Sequence, residues 1–179
     1  MNHEENRVIF VVGGARSGKS RFGEQLALRL PGKAVYIATG EVTDEEMKER
    51  IARHQQRREG LFERTVEEPL DLAGAVMAQP ENSVLLVDCL SVYLGNLFYH
   101  EKPAFSYSRL DSLYEALTET TNTIILISNE VGEGIVPDNE MSRIYRDAHG
   151  WMNQKVASIA DVVIRMTCGI PQYIKGETL

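Results

Sequence analysis

The residues whose types and spacing most clearly suit a chemical role form one octapeptide, Gly13-Gly14-Ala15-Arg16-Ser17-Gly18-Lys19-Ser20. Its pattern, G-x-x-x-x-G-K-S, follows an apolar run and precedes residues with helical spacing. Glycines at these positions let successive backbone N–H groups point at phosphate oxygens, and the start of a helix adds a partial positive charge. Lys19 can contact the β- and γ-phosphates, and the hydroxyl of Ser20 can bind Mg²⁺. The pattern predicts a P-loop that holds a nucleoside triphosphate.

A carboxylate that could complete this site belongs to Asp88, the last residue of the apolar run Val84–Asp88. In P-loop proteins, an acid at the end of a buried strand lies beside the metal that is bound to the nucleotide. A strand-terminal Asp can instead cap a following helix, but the P-loop upstream favours the metal or nucleotide role. We therefore predict that Ser20 and Asp88 bind Mg²⁺.

The reaction that follows phosphate binding is open at this point. Proteins that switch on GTP usually carry a D-x-x-G element after the metal-binding strand and an N-K-x-D guanine reader. Here Asp88 is followed by Cys-Leu-Ser, and the sequence contains no N-K-x-D. A Ras-like switch is therefore disfavoured, which leaves a kinase, an ATPase or a nucleotidyl transferase.

A candidate nucleophile is His54, which four arginines surround in the sequence: Arg50, Arg53, Arg57 and Arg58. A neutral imidazole near pH 7 is a competent nucleophile towards phosphorus, and guanidinium groups bind phosphate oxygens bidentately. A lone histidine on a charged helix is more often solvated or structural, so residue types alone leave both roles open. We interpret the other histidines, His3, His100 and His149, as structural or solvated, and place His149 off the apolar face of its helix.

The segment Ser128–Pro137 has the composition of a substrate loop. Its sequence, SNEVGEGIVP, sets two glycines and a proline around polar groups directly after an apolar run. Polar residues at the carboxyl end of a strand are well placed to contact a ligand, although an ordinary connecting loop can have the same composition.

The elements that must position these residues alternate between apolar runs and helical patterns. Five runs rich in Val and Ile are typical of strands buried on both faces of a parallel sheet: Arg7–Val12, Ala34–Ala38, Val84–Asp88, Thr123–Ser128 and Val162–Met166. Helical patterns lie between them, at Phe22 to Leu30, from the capping box Thr43-x-x-Glu46 to Arg58, at about Arg109–Thr120, and from Met141 to Ile159. The alternation predicts one α/β domain over residues 1–179, with ligands bound beyond the carboxyl ends of the strands.

Composition and charge exclude several classes of protein. The 179 residues carry a net charge of -7, a poor match for non-specific binding to nucleic acid. Two basic stretches, residues 11–30 and 48–64, each carry +3 and leave -13 for the rest, so a small polyanion is the better partner. The apolar runs are much shorter than the ~20 residues of a membrane span, and the start of the chain is polar. With two cysteines in no metal-binding spacing, we expect a cytoplasmic protein without a transmembrane segment.

One known family matches these motifs in order and spacing over nearly the whole chain. The sequence resembles the bifunctional adenosylcobinamide kinase / adenosylcobinamide-phosphate guanylyltransferase family of cobalamin biosynthesis. The matching segments are the octapeptide, Tyr36–Thr39, Asp44–His54, Ser128–Pro137 and Arg146–Ala157. The resemblance implies a P-loop NTPase fold with a RecA-like, mostly parallel sheet flanked by helices, and a homotrimeric assembly.

The same resemblance implies two reactions and a set of site residues. A nucleoside triphosphate, ATP or GTP, phosphorylates adenosylcobinamide, and GMP then passes from GTP through a guanylylated histidine to adenosylcobinamide phosphate, giving adenosylcobinamide-GDP. His54 falls on the guanylylated histidine, and Lys19 is the second catalytic residue. The nucleotide-binding positions are Gly13, Gly14, Ala15, Arg16, Ser17, Gly18, Lys19, Ser20, Ile37, Ala38, Thr39, Gln55, Gln56, Arg57, Arg58, Glu67 and Asp88.

Two other functions fit the residue types. One is a P-loop kinase of another small metabolite, in which His54 is structural. The other is a non-enzymatic module, in which a bound nucleotide only sets the conformation of an assembly. Neither predicts a covalent nucleotide on His54.

Overall fold

The computed structural model describes residues 7–41, 45, 49, 52, 55, 56 and 60–179. Its strands are β1 (Val8–Gly13), β2 (Lys33–Ala38), β3 (Arg64–Glu67), β4 (Ser83–Asp88), β5 (Thr123–Asn129), β6 (Val162–Thr167) and β7 (Ile170–Lys175). The helices that lie wholly within these ranges are α1 (Lys19–Arg29), α2 (Leu72–Met77), α3 (Leu90–Glu101), α4 (Ser108–Glu119) and α5 (Glu140–Ile159).

The strands form one seven-stranded sheet in the order β3-β2-β4-β5-β1-β6-β7. Every neighbouring pair is parallel except β6 and β7, which are antiparallel. Strand β5 therefore lies between β4, which ends at Asp88, and β1, which leads into the P-loop. The register places Gly13 beside Asn129 and Asp88 beside Ile127. The predicted α/β architecture with a mostly parallel sheet is confirmed.

The core has two layers, one on each face of the sheet. Helices α2 to α5 pack on one face, against residues such as Val87 and Leu126. Helix α1 packs on the other face, against residues such as Leu86 and Ile127. Because successive strand residues point to opposite faces, this pattern fixes the side on which each residue at a strand end emerges.

The five predicted strands are confirmed, with ends that differ by about one residue. Two edge strands, β3 and β7, were not predicted, because their largely exposed residues lack the apolar runs of a central strand. Helix α3 was also not predicted. It buries residues on most of its circumference, including Ser91 and Asn96, so its sequence shows no single apolar face.

The helix predicted from the capping box falls largely outside the described residues, as do Thr43, Glu46, His54 and Arg58. At Glu45, Glu49, Ala52, Gln55 and Gln56 the backbone is helical, as the pattern predicts. The other predicted helices correspond to α1, α4 and α5. Across the described ranges, no helix is both long enough and apolar enough to cross a membrane.

Candidate active site

The octapeptide forms a tight turn between β1 and α1. Gly18 precedes the first residue of α1 with a φ of 96°, a conformation that a glycine adopts without steric cost. A Cβ on Gly13 would lie 2.5 Å from the carbonyl oxygen of Met166, so that position also requires glycine. The Gly169 N–H donates to the Ser17 carbonyl (3.0 Å), which ties the turn to the β6–β7 connection. These constraints explain the glycine positions that the sequence pattern identified.

Lys19, the first residue of α1, is held at the centre of this turn. Its ammonium donates to the Gly14 carbonyl oxygen at 2.7 Å, and only 7% of the residue is exposed. An ammonium has three N–H groups, so two remain for phosphate oxygens. Burial lowers the pKa of Lys19, and the nearby Cys89 and Asp88 partly offset this effect. Ala15 and Arg16 are exposed beside it, and Ser20 is half-buried, so ligand atoms can reach the turn.

Asp88 is oriented by a buried tyrosine. The Tyr36 hydroxyl donates to Asp88 Oδ2 at 2.7 Å, from the neighbouring strand β2 and on the α1 face of the sheet. The other carboxylate oxygen, at the half-buried end of β4, accepts no hydrogen bond from the residues that the structure describes. Asp88 therefore presents a carboxylate on the same side of the sheet as α1 and its P-loop.

Thr39 fixes the backbone that follows Asp88. Its hydroxyl accepts from the Cys89 N–H at 2.9 Å and donates to the Cys89 carbonyl at 2.8 Å. Thr39 is fully buried, as is Ile37, whereas Ala38 is half-buried. These three predicted nucleotide-site residues thus lie along β2 and its carboxyl end, and the Thr39 side chain acts on the protein backbone.

The residues present fit a magnesium ion. Mg²⁺ prefers oxygen ligands and is commonly bound by one or two protein groups together with substrate phosphates. The Ser20 hydroxyl and the Asp88 carboxylate supply such oxygens beside the phosphate turn. In the part of the chain that the structure describes, no group of three or more His, Cys, Asp or Glu residues forms a separate metal site.

A pocket of about 420 Å³ lies at the β3 end of the sheet. Its size falls in the range of small-ligand sites. It is lined by Ala52, Gln55, Gln56, Gly60, Phe62, Thr65 and Glu67. Gln55 Nε2 donates to Glu67 Oε1, and Phe62 packs edge-on against Tyr36 with ring centres 5.2 Å apart. Because Tyr36 also holds Asp88, a connected set of side chains links this pocket to the phosphate turn.

Three of the predicted site residues, His54, Arg57 and Arg58, lie outside the described residues. The structure brings the others to two neighbouring places. The P-loop, Lys19, Ser20 and Asp88 form the phosphate end, and Gln55, Gln56 and Glu67 form the pocket at the β3 end. Their roles in binding and catalysis stay predictions.

A buried polar cluster beside the phosphate end was missed by the sequence reasoning. His149 is fully buried in α5, so its placement off the apolar face of that helix was wrong. Its Nε2 lies 2.9 Å from Ser91 Oγ and 3.3 Å from Ser128 Oγ, and its Nδ1 lies 3.4 Å from Asn153 Nδ2. Burial lowers the pKa of His149 to about 4, so the ring is neutral at pH 7. The available signal was the i, i+4, i+8 spacing of Tyr145, His149 and Asn153, which places all three on one helix face.

The sheet order and the phosphate turn together define a class: α/β P-loop nucleotide-binding proteins. Within that class, the family model described as cobinamide kinase / cobinamide phosphate guanyltransferase matches residues 9–174. The chain belongs to this family. The predicted membership is thereby confirmed, and so is the prediction of a transferase enzyme of cobalamin biosynthesis.

Curated relatives agree over almost their whole length. The bifunctional adenosylcobalamin biosynthesis protein CobP of Pseudomonas aeruginosa is 44% identical over 170 residues, which cover 94% of this chain and 98% of that protein. The bifunctional adenosylcobalamin biosynthesis protein CobU of Salmonella typhimurium is 34% identical over 183 residues, covering 94% of this chain and 99% of that protein.

Solved structures resemble the fold at low sequence identity. A protein from Pyrococcus horikoshii OT3 aligns with a TM-score of 0.55 and 8% identity, over 96% of this chain and 87% of that one. An ATPase of a bacterial type III secretion system aligns with a TM-score of 0.54 and 18% identity, over 90% of this chain and 51% of that one. These similarities support the predicted RecA-like P-loop fold.

Proposed function

We propose that one nucleotide site, at the carboxyl ends of the strands, carries out both reactions of the family in this chain. The observation that carries the proposal is the phosphate end itself. There the buried Lys19 and the Tyr36-held carboxylate of Asp88 lie together in a chain whose family is defined by a kinase and a guanyltransferase. We propose that the whole chain, residues 1–179, works as one transferase domain.

In the first reaction, the aminopropanol hydroxyl of adenosylcobinamide attacks the γ-phosphorus of a nucleoside triphosphate. The bond from the γ-phosphorus to the β–γ bridging oxygen breaks, the nucleoside diphosphate leaves, and the hydroxyl proton passes to solvent water. Charge develops on the phosphoryl oxygens, and phosphoryl transfer is accelerated mainly by groups that stabilise this charge. Lys19 and the N–H groups of the octapeptide are the groups that we assign to this role.

Mg²⁺ bound by Ser20 and Asp88 would neutralise phosphate charge and fix the orientation of the triphosphate. The protein contributes the position of the two oxygen ligands. Tyr36 restrains the Asp88 carboxylate, and Thr39 restrains the backbone that follows it.

In the second reaction, a ring nitrogen of His54 attacks the α-phosphorus of GTP, and pyrophosphate leaves. An oxygen of adenosylcobinamide phosphate then attacks the same phosphorus, the P–N bond breaks, and adenosylcobinamide-GDP forms. Support for His54 comes from the sequence motif and the family. Gln55, the next residue in the sequence, lines the pocket at the β3 end. The proposed nucleophile is therefore adjacent in sequence to a residue of that pocket.

We assign the guanine base to that pocket, with Glu67 as the residue that reads it. A carboxylate accepts hydrogen bonds from the N1–H and the amino group of guanine, whereas adenine presents a lone pair at N1. Gln55 is hydrogen-bonded to Glu67 and could hold the carboxylate in place. Arg57 and Arg58 are proposed phosphate contacts, in agreement with the basic stretch in which they lie.

Mass spectrometry after incubation with GTP and Mg²⁺ tests the covalent mechanism. We expect an acid-labile, base-stable GMP adduct on His54, because protonation of the P–N bond promotes its hydrolysis. The His54→Ala variant should carry no adduct. An unmodified wild-type chain, or an adduct that persists in His54→Ala, would favour the metabolite kinase or the regulatory module instead.

The assembly and location of the protein are further proposals. We propose a homotrimer in the cytoplasm that uses GTP, ATP, adenosylcobinamide and its phosphate as substrates and binds no nucleic acid. Light scattering should then give a mass about three times the 20.1 kDa of one chain. A mass equal to one chain would contradict the trimer.

A further inference from the structure

Asn129, the last residue of β5, lies between the P-loop, which follows β1, and Asp88, which ends β4. Its strand lies between β4 and β1, and Asn129 is the register partner of Gly13, the first residue of the octapeptide. Adjacent strands are about 4.8 Å apart, so the Asn129 backbone runs directly beside the start of the P-loop. The Glu130 N–H donates to the Gly13 carbonyl at 2.9 Å and continues this pairing beyond the strand.

The side chain of Asn129 emerges on the face of the sheet that carries α1. Leu126 packs on the α5 side and Ile127 on the α1 side, and Ser128 contacts His149 and Asn153 of α5. Alternation along the strand therefore directs Asn129 to the α1 side, where Asp88 also emerges. Asn129 lies two residues further along its strand than the residue paired with Asp88, at the level where the P-loop begins.

The backbone of Asn129 is fixed by the polar cluster of Ser91, Ser128, His149 and Asn153. The Asn129 N–H donates to Ser91 Oγ at 2.8 Å, and its carbonyl oxygen accepts from Asn153 Nδ2 at 3.0 Å. Both polar groups of this peptide position are thus held by side chains that are themselves buried.

A single arrangement of protons satisfies the whole cluster. Asn153 Nδ2 donates to the Asn129 carbonyl and, more weakly, to His149 Nδ1, which places the histidine proton on Nε2. Nε2–H then donates to Ser91 Oγ, whose own proton points at Ser128 Oγ, and Ser128 donates to Asn153 Oδ1 at 2.8 Å. A second proton on the ring would set Nδ1–H against the Asn153 amide. The cluster therefore requires a neutral His149, in agreement with its burial.

The carboxamide of Asn129, in contrast, makes no hydrogen bond to the described part of the chain, and the residue is half-buried. A fixed backbone with an uncommitted amide is the arrangement expected for a group that binds a ligand, because the backbone part of the ordering entropy has already been lost. The amide N–H can donate to a phosphate oxygen, and such charge-assisted hydrogen bonds are stronger than neutral ones.

We propose that Asn129 is a catalytic residue of this site, whose side-chain amide donates to an oxygen of the terminal phosphate of the bound nucleoside triphosphate. Ser91, Ser128, His149 and Asn153 are positioning residues that hold its backbone. The inference rests on the proposed function for the identity of the ligand. Its geometric basis, a fixed backbone at Asn129 beside Gly13 with the carboxamide on the α1 side, is independent of the corrinoid and of His54.

Calorimetric titration with guanosine 5′-(β,γ-imido)triphosphate and with GDP, each with Mg²⁺, tests the contact without any corrinoid. In Asn129→Ala and Asn129→Asp, affinity for the triphosphate analogue should fall about tenfold or more, while affinity for GDP changes little. The matched control is Asn122→Ala, since Asn122 is a buried asparagine directly before the amino end of β5, where it accepts from the Ser83 N–H away from the site. It should destabilise the fold and leave the ratio of the two affinities unchanged.

Kinetics of corrinoid phosphorylation provide the second readout. We expect Asn129→Ala to lower kcat by about 10²-fold with a smaller change in KM for the corrinoid. An unaltered affinity ratio in both Asn129 variants, or an equal loss in Asn122→Ala, would overturn the contact. If wild type binds the analogue more tightly than GDP but transfers neither group, the proposed function fails while the Asn129 contact can still be judged by the affinity ratio.

Discussion

Asparagines flank strand β5 in opposite roles, Asn122 directly before its first residue and Asn129 as its last residue. Asn122, at the amino end, is buried, and its side-chain oxygen accepts from the Ser83 N–H at 2.9 Å, so the amide serves the start of β4. Asn129, at the carboxyl end, has its backbone held by other side chains, and its own carboxamide bonds to none of the residues that the structure describes. The difference shows that the residue type does not decide the role. What decides it is whether neighbouring side chains have already satisfied the local backbone.

The same contrast holds for the sheet as a whole. At the amino end, Asp161 Oδ2 accepts from the Val8 N–H at 2.8 Å, so this carboxylate satisfies the first backbone N–H of β1. At the carboxyl end, Asp88 accepts from Tyr36 through one oxygen and Lys19 donates to Gly14 through one N–H, and within the described ranges their remaining oxygen and N–H groups have no hydrogen-bond partner. Groups at the amino end thus stabilise the fold, and groups at the carboxyl end are held ready for a ligand.

The variant with the largest expected effect is Lys19→Ala. If the carboxyl end is one site for both reactions, phosphorylation and guanylylation should each fall by about 10²- to 10³-fold, because a preorganised cation is lost from both. Rates of the two reactions under saturating nucleotide measure this. Lys33→Ala is the matched control, since Lys33 is exposed at the amino end of β2 and pairs with Glu63. A loss confined to one reaction would mean that two separate sites exist.

The His149→Phe variant tests the cluster that supports the carboxyl end. It keeps an aromatic ring but removes both ring nitrogens, so Ser91 Oγ and Asn153 Nδ2, both buried, each lose one hydrogen-bond partner. The free energy of unfolding should fall by about 2–4 kcal/mol, measured by urea denaturation at pH 7. His100→Phe, at an exposed histidine that pairs with Glu41, should have a much smaller effect. Equal losses in the two variants would contradict the role of the cluster.

The pH dependence of stability provides a second test of His149. Its pKa is about 4 in the folded protein and about 6.5 when unfolded, so the unfolded chain binds the proton more readily between these values. The titratable neighbour that the structure gives it is Tyr145, whose raised pKa keeps it neutral in this range. The contribution of His149 is therefore fully present above pH 6.5 and is lost as the pH falls towards 4. The stability difference between wild type and His149→Phe should shrink by about 2–3 kcal/mol from pH 7 to pH 4.5. A constant difference would mean that the pKa of His149 is the same in the folded and unfolded states, so that burial does not lower it.

The smallest effect is expected from Tyr36→Phe. Loss of the hydrogen bond to Asp88 should lower kcat of both reactions about three- to tenfold and raise the Mg²⁺ concentration needed for half-maximal rate. Tyr93→Phe is the control, because Tyr93 is equally buried but its hydroxyl donates to the Leu70 carbonyl away from the phosphate end. The assignment of Asp88 fails if Tyr93→Phe reproduces the change in Mg²⁺ dependence.

Much of the phosphate end could be predicted from sequence, because each of its parts is a pattern of a few consecutive residues. The octapeptide, its helix and the acid after an apolar strand all appear as short patterns whose chemistry is set by residue type. The contact made by Thr39 was harder to predict from sequence, because its hydroxyl bonds to Cys89, 50 residues away.

The polar cluster could not be derived in the same way. Ser91, Ser128, His149 and Asn153 come from three elements, and each is an ordinary polar residue in its own sequence context. Helix α3, which carries Ser91, lacks a one-sided apolar pattern, so the sequence did not indicate which face was buried. The pocket at the β3 end was hidden for a related reason, because β3 is a short, polar edge strand that only pairing with β2 defines.

The most direct test of a single nucleotide site is to measure the inhibition of both reactions by one nucleotide analogue. Guanosine 5′-(β,γ-imido)triphosphate keeps the β–γ link intact, so it blocks phosphoryl donation, and it can compete with GTP for the same phosphate turn. If one site serves both transfers, the analogue should inhibit phosphorylation of adenosylcobinamide and formation of the His54 adduct, in both cases competitively with GTP. The two inhibition constants should be equal once any slow guanylylation of His54 by the analogue itself is subtracted. Competitive inhibition of one reaction and non-competitive inhibition of the other would contradict the single site.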